Sequence, residues 1–159
     1  MSINLITVGI AEIQTATPPD ILRTILGSCV GICLFDYKNF IGGLSHIMLP
    51  KMSDNNSNEK KYADTAIPLL LQQMYCKGAK LEYIIAKIVG GATMFNFPQK
   101  SNLTNIGERN IHSVKSTLKN FKIKIVAEEL GGDYARTIDF YVDTGIVKIK
   151  YLNKQLNII

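Results

Sequence analysis

The stretch Leu26-Gly27-Ser28-Cys29-Val30-Gly31-Ile32-Cys33-Leu34-Phe35-Asp36 is apolar at nearly every position. A second such run, Ile41-Gly42-Gly43-Leu44-Ser45-His46-Ile47-Met48-Leu49, follows Tyr37-Lys38-Asn39-Phe40. The segments 22–35 and 41–49 are apolar on both alternating sets of positions, so they read as strands covered on both faces, in the middle layer of a fold. A hairpin closing about Tyr37-Lys38 pairs residues whose numbers sum to 75, which sets Cys29 opposite His46. Directly opposed residues of an antiparallel pair have Cβ atoms roughly 4.5–5.5 Å apart, close enough for a thiol and an imidazole to share a proton. The pairing depends on the loop: a bulge or a third loop residue shifts the register by one.

Working outward, residues 3–16 read as two extended segments broken at Gly9, and Thr17-Pro18-Pro19-Asp20 as a turn. The polar run Lys51 to Glu59 has no periodicity and reads as a surface loop. Ala63, Ile67, Leu70, Leu71 and Met74 recur at helical spacing with Gly78 as the stop, and Pro68 either kinks this helix or marks where its regular part begins. Residues 83–89 read as a strand ending at Gly90-Gly91, where a glycine pair signals close backbone approach or positive φ. After a loop from Asn96 to Asn105, Ile111, Val114, Leu118 and Phe121 mark a second helix. Ile123 to Ala127, Thr137 to Val142 and Ile146 to Tyr151 are β-like, joined by Gly131-Gly132-Asp133 and by a hairpin at Asp143-Thr144-Gly145. Roughly seven or eight strands and two main helices predict an α+β fold, a layered sandwich with mostly antiparallel strands.

The 159 residues are expected to form one domain, 1–159, with 47% apolar and 19% charged residues, a balance that excludes a largely disordered chain. The net charge of +5 comes from scattered lysines with no basic run, which reads as solubility and not as a nucleic-acid footprint. Three cysteines cannot all pair within one chain and form no C-x-x-C motif, so a reducing compartment is expected. No secretory leader or membrane span is evident, and the expectation is a cytoplasmic monomer not inserted in a membrane.

Cys29 is the candidate nucleophile. Gly27 and Ser28 before it let backbone and substrate approach closely, and their N–H groups could stabilise an oxyanion. His46 is the candidate base, with an imidazolium beside the thiol favouring the thiolate. Cys33, deep in the apolar run, and Cys76, near a helix end, read as structural. His112 reads as a surface residue. The third group that orients the imidazole is open: Asp36 lies at the hairpin tip and too far away, Thr24 is a candidate if the chain turns at Gly27-Ser28, although an ordinary strand threonine is as good a reading, and Glu128, Glu129 or Asp133 could approach in space. The histidines and cysteines lack the short paired spacings of zinc sites, so no metal or cofactor is expected.

Six blocks carry a resemblance: Leu26 to Val30, Gly42 to Pro50, Tyr62 to Ala66, Ala86 to Phe95, Ile106 to Asn110 and Leu130 to Gly132, in that order. In these the chain resembles the CheD family, the chemoreceptor glutamine deamidases of bacterial and archaeal chemotaxis. The resemblance implies that Cys29 is the nucleophile, His46 its general base and acid, and Thr24 the third member. It implies hydrolysis of glutamine side chains on methyl-accepting chemoreceptors to glutamate, with ammonia released through a thioester. A fold like the catalytic domain of the cytotoxic necrotizing factor toxins and a CheC-type phosphatase partner are implied as well. The alternatives from the residues alone are a binding partner or activator with little deamidation of its own, and a cysteine hydrolase acting on peptides or esters.

Overall fold

A computed structural model describes residues 2–53, 58–94 and 105–159; most of the loop expected from Asn96 to Asn105 lies outside them. Two five-stranded sheets are formed. The first has the order β1 (Leu5–Thr7), β3 (Ile21–Leu26), β8 (Arg136–Tyr141), β9 (Val147–Tyr151), β10 (Leu156–Ile158). The second has the order β2 (Ile13–Ala16), β5 (Ile41–Ile47), β4 (Val30–Asp36), β6 (Ile84–Gly90), β7 (Lys124–Leu130). Among the paired strands described, β1–β3 and β6–β7 are parallel and the rest antiparallel. Helices α1 (Ala63–Cys76) and α2 (Ile106–Asn120) cover the outer face of the second sheet, and the first sheet covers its other face. The α+β sandwich with mostly antiparallel strands and two main helices is thus the architecture observed.

The all-apolar reading of the central hairpin is explained by this layering. All seven residues of β4 are buried, and so are all seven of β5. Along β4, Val30, Ile32 and Leu34 meet the helices, whereas Cys33 and Phe35 meet the first sheet. Each such aliphatic side chain contributes on the order of 1.5–3 kcal/mol when fully buried. On β5, Gly42 lies against Phe140 and Val142, and Gly43 lies under Leu70 and Met74, so added Cβ atoms would collide with both neighbouring layers.

Helix α1 buries Ala63, Ala66, Ile67, Leu70, Leu71 and Met74. It runs through Pro68 without ending there, although the proline has no N–H for the carbonyl of Asp64. It stops at Gly78, φ +99°, where the Ala79 and Gly78 N–H groups donate to Met74 and Tyr75 carbonyls in a Schellman closure.

Two expectations are corrected. The segment 22–35 is not one strand: β3 and β4 belong to different sheets, and the chain crosses between them at Gly27-Ser28-Cys29. The hairpin register is also different. Gly31, not Cys29, pairs with His46, and Asp36 pairs with Ile41, so paired numbers sum to 77. The cause is a four-residue loop. The Asp36 carboxylate accepts from the N–H groups of Lys38 (3.0 Å) and Asn39 (2.8 Å), and Phe40 turns the chain back at φ +55°.

Candidate active site

A shift of two residues keeps strand parity, so Cys29 and His46 remain on the same, inter-sheet side of the second sheet. Gly31 faces His46 there and presses on Leu26 and Ile138 of the first sheet, while Cys29 packs against the same inter-sheet cluster. Cys29 itself lies on the bend before β4 and is partly exposed.

That bend is held from one side. The Ala92 N–H donates to the Gly27 carbonyl (3.0 Å), the Gly91 N–H to the Cys29 carbonyl (2.9 Å), and Asn110 Nδ2 to the Ser28 carbonyl (3.1 Å). Gly90 and Gly91 adopt φ +115° and +69°, and a Cβ on Gly90 would collide with the Cys29 carbonyl oxygen. The glycine pair thus provides both the close approach and the positive φ expected of it. Across a planar trans peptide the N–H points opposite to the C=O, so the Ser28 and Cys29 N–H groups face away from these donors. Among the described residues no other residue accepts from either. The Cys29 N–H turns toward its own sulfur, which favours the thiolate; burial acts the other way and is the larger effect, so the thiol lies above its ordinary pKa.

His46 is almost fully buried on β5, and Thr24 is buried on β3 in the facing sheet. Their side chains meet: Thr24 Oγ1 and His46 Nδ1 are 2.7 Å apart. The same hydroxyl donates to the Val8 carbonyl at 2.6 Å. A hydroxyl has one proton, so with that proton committed to Val8 the oxygen can only accept from His46. The proton therefore sits on Nδ1, and Nε2 carries the lone pair. Nε2 is buried and has no hydrogen-bond partner among the described residues. Burial pushes the imidazole down to about 4, partly opposed by Glu12. Both shifts favour the neutral forms, an imidazole and a thiol, over the expected imidazolium beside a thiolate.

The remaining candidates separate cleanly. Arg23 and Ile25, the neighbours of Thr24, alternate away from the inter-sheet side, Arg23 pairing with Asp139 and Ile25 exposed. Asp36 closes the hairpin loop. Glu128 pairs with Lys115 at 3.1 Å on the surface, and Glu129 is bonded to buried Arg136. Cys33 is buried and pushed up to about 12 by burial, against the effect of Lys87, and Cys76 and His112 are exposed.

Two residues were not anticipated. Asn110, fully buried in α2, donates to both Ser28 and Met48 carbonyls (3.1 and 2.9 Å), tying the Cys29 bend to the end of the His46 strand. Glu12 carries the carboxylate that acts on His46. A block containing Asn110 stood out in the sequence, yet nothing in it announced a contact with Ser28.

Thiol, imidazole and hydroxyl gathered between two sheets are the groups a cysteine hydrolase uses for acyl transfer. A family model described as CheD chemotactic sensory transduction matches residues 48–151. The chain belongs to the CheD family. It is 48% identical over 148 residues to a protein of Clostridium novyi named probable chemoreceptor glutamine deamidase CheD, covering 91% of each chain. A protein of the same name from Caldanaerobacter subterraneus is 47% identical over 154 residues, 94% of each chain. Another from Clostridium tetani is 47% identical over 153 residues, 94% of this chain and 93% of that one. No helix among the described residues is long and apolar enough to cross a membrane.

Proposed function

We propose that this protein is a chemoreceptor glutamine deamidase in chemotaxis and that Cys29, His46 and Thr24 perform the reaction. The observation that carries the reading is the chain Val8 carbonyl, Thr24 hydroxyl, His46 Nδ1–H, which leaves Nε2 as a base on the side of the sheet where Cys29 stands.

The chemistry follows from the resting protonation states. The Cys29 sulfur attacks the side-chain carbonyl carbon of a receptor glutamine as its proton passes to His46 Nε2. The carbonyl oxygen becomes an oxyanion, and the Ser28 and Cys29 N–H groups are the donors disposed to receive it. His46 returns the proton to the amide nitrogen, the C–N bond breaks, and ammonia leaves a thioester on Cys29. Water then attacks the thioester carbon while Nε2 takes its proton. The C–S bond breaks, the sulfur is reprotonated, and glutamate stands where glutamine stood. Through both halves Thr24 keeps the ring in one tautomer and one orientation.

The reading places the substrate on the cytoplasmic helices of methyl-accepting receptors, with a CheC-type phosphatase as a further partner and a monomeric cytoplasmic enzyme. Incubation with the organism's own receptor fragments tests it by mass spectrometry: specific glutamines gain about 1 Da with ammonia released, and Cys29→Ala prevents both. Conversion that persists in the Cys29→Ala protein refutes the assignment of the nucleophile. Peptide cleavage or methanol release in place of ammonia refutes the reaction.

A further inference from the structure

Proton transfer from Cys29 to His46 creates a positive charge inside the sandwich, and Thr24 cannot balance it. The threonine offers only a hydroxyl dipole, already committed to the Val8 carbonyl. The segment before β2 supplies what is missing. The β2–β5 register pairs Ile13 with Ser45, and one step further His46 is met by two residues at once: its N–H donates to the Glu12 carbonyl (3.1 Å) and its carbonyl accepts from the Ala11 N–H (2.9 Å). Two residues opposing one, with the first at positive φ (Ala11, +59°), define a β-bulge. A left-handed conformation in a residue other than glycine is uncommon and costs on the order of 1 kcal/mol. Here it lies directly opposite the base. A turn closes the bulge, with the Glu12 N–H donating to the Gly9 carbonyl (3.2 Å) and Glu12 Oε2 accepting from the Gly9 N–H (2.8 Å).

Bulges re-aim side chains beside functional sites. We propose that Glu12 is an electrostatic positioning residue: the bulge at Ala11 sets it opposite His46 at the edge of the second sheet, where its exposed carboxylate, held on the Gly9 N–H, offsets the charge the imidazole acquires on taking the Cys29 proton. The inference rests on the deamidase reading for its consequence in the reaction, though not for the charge effect itself. Among the described residues the Thr24 hydroxyl from β3 meets the ring, Cys29 and Cys33 stand two residues to either side of Gly31, the residue paired with His46, and the turn Glu59–Lys61 packed against β5 carries Glu59, Lys60 and Lys61. Lys87 stands one strand further away on β6, opposite Cys33, with its ammonium donating to the Gly145 carbonyl (2.9 Å). Glu12 is thus the carboxylate that acts on the ring, and its direction of action raises the imidazole's proton affinity.

The test uses Glu12→Gln, which keeps an oxygen acceptor for the Gly9 N–H and removes the charge. Glu82→Gln, an exposed site, controls for net charge. The chain has two histidines, so the NMR titration of His46 carries an internal reference in exposed His112. The expected result is a downward shift of the His46 midpoint by about 0.5–1 unit in Glu12→Gln, with His112 unmoved. On receptor fragments kcat falls about three- to tenfold at unchanged KM, the rate equivalent of that shift. The acid limb of kcat/KM moves down with the midpoint, and the difference between the two proteins shrinks in about 0.5 M salt. A His46 midpoint that stays in place in Glu12→Gln, or that moves as far in Glu82→Gln, overturns the proposal whatever happens to the rate. The titration needs no substrate, so a wild-type protein that releases no ammonia sinks the deamidase reading separately.

Discussion

Cys29 and Cys33 lie four residues apart on the same side of one chain segment, and their surroundings differ in a single respect that governs all others. Cys33 is inside the β4 ladder, paired with Leu44 on one side and Lys87 on the other. Its backbone is in the sheet, its thiol is fully enclosed, and burial pushes that thiol up to about 12. Cys29 is on the bend just outside the ladder. There the carbonyls of residues 27–29 are bound by Ala92, Asn110 and Gly91, which turns the Ser28 and Cys29 N–H groups away from these donors, and the Cys29 N–H lies toward its own thiol. A strand consumes its N–H groups in pairing; a bend clamped only through its carbonyls leaves them for a substrate. Which backbone groups are already paired distinguishes a core cysteine from a candidate nucleophile where residue type and parity do not.

Altering each thiol in turn separates the two environments most strongly. Cys29→Ala is expected to abolish receptor deamidation and to change stability little, since the side chain is partly exposed. Cys33→Ser is expected to keep the rate within about threefold while losing about 1–3 kcal/mol in denaturant unfolding, because a hydroxyl is buried without a partner. A fully folded Cys33→Ser protein that has lost activity reverses the roles assigned to the two thiols.

His46→Ala comes next, with a loss of about 10²–10⁴ in kcat in a protein that still folds. The neutral resting pair adds a second expectation. Where an imidazolium lowers a thiol's pKa, removing the histidine slows alkylation strongly at neutral pH. Here His46 is neutral and Cys29 is raised, so iodoacetamide should modify Cys29 at rates within about threefold of one another in wild type and His46→Ala. A collapse of the alkylation rate in the variant reinstates the ion pair.

Burial of the same imidazole has a stability consequence. The folded-state pKa of about 4 lies below the ordinary 6.5, so between these values the unfolded chain binds a proton that the folded chain does not. Stability is therefore greatest above the ordinary pKa and falls as pH drops toward 4, by on the order of 3 kcal/mol. Urea midpoints measured across this range should decline in wild type and decline less in His46→Ala. Parallel curves for the two proteins mean that His46 is not held neutral by burial.

The hairpin that carries the site was legible because strands buried on both faces are apolar on both sets of alternate positions, and β4 and β5 are such strands, with Asp36, Ser45 and His46 as their buried polar exceptions. Its register was not. The loop length was decided by the Asp36 carboxylate folding over the next N–H groups, and an aspartate before a polar pair does not announce whether two or four residues will be left unpaired. The assignment of β3 and β4 to different sheets was half legible: Gly27-Ser28 offered a turn, but the apolar positions on both sides of it read as well as one continuous strand. Yet that crossing is what brings Thr24 from the opposite layer onto His46. Glu12 was hidden for another reason: the left-handed position that aims it is an alanine, and the usual glycine signal is absent at residue 11. Local composition reported burial faithfully, and contacts between layers depended on turns whose geometry is set by single side chains.

The smallest of these effects probes the link between the layers. Thr24→Val keeps the shape and removes the hydroxyl, leaving both the Val8 carbonyl and His46 Nδ1–H without their partner. Each unsatisfied buried group costs about 1–3 kcal/mol, so some stability is lost however the site works. The rate distinguishes an orienting role from a merely structural one. Without the hydroxyl nothing holds the proton on Nδ1, and the ring can move it to Nε2, where it no longer serves as a base. Thr24→Val should therefore lose about tenfold in kcat at unchanged KM, and Thr24→Ser, which keeps the oxygen, should recover most of it. The nitrogen chemical shifts of the His46 ring report the tautomer directly. A Thr24→Val ring that still carries its proton on Nδ1 and turns over at the wild-type rate reduces Thr24 to a packing residue between two sheets.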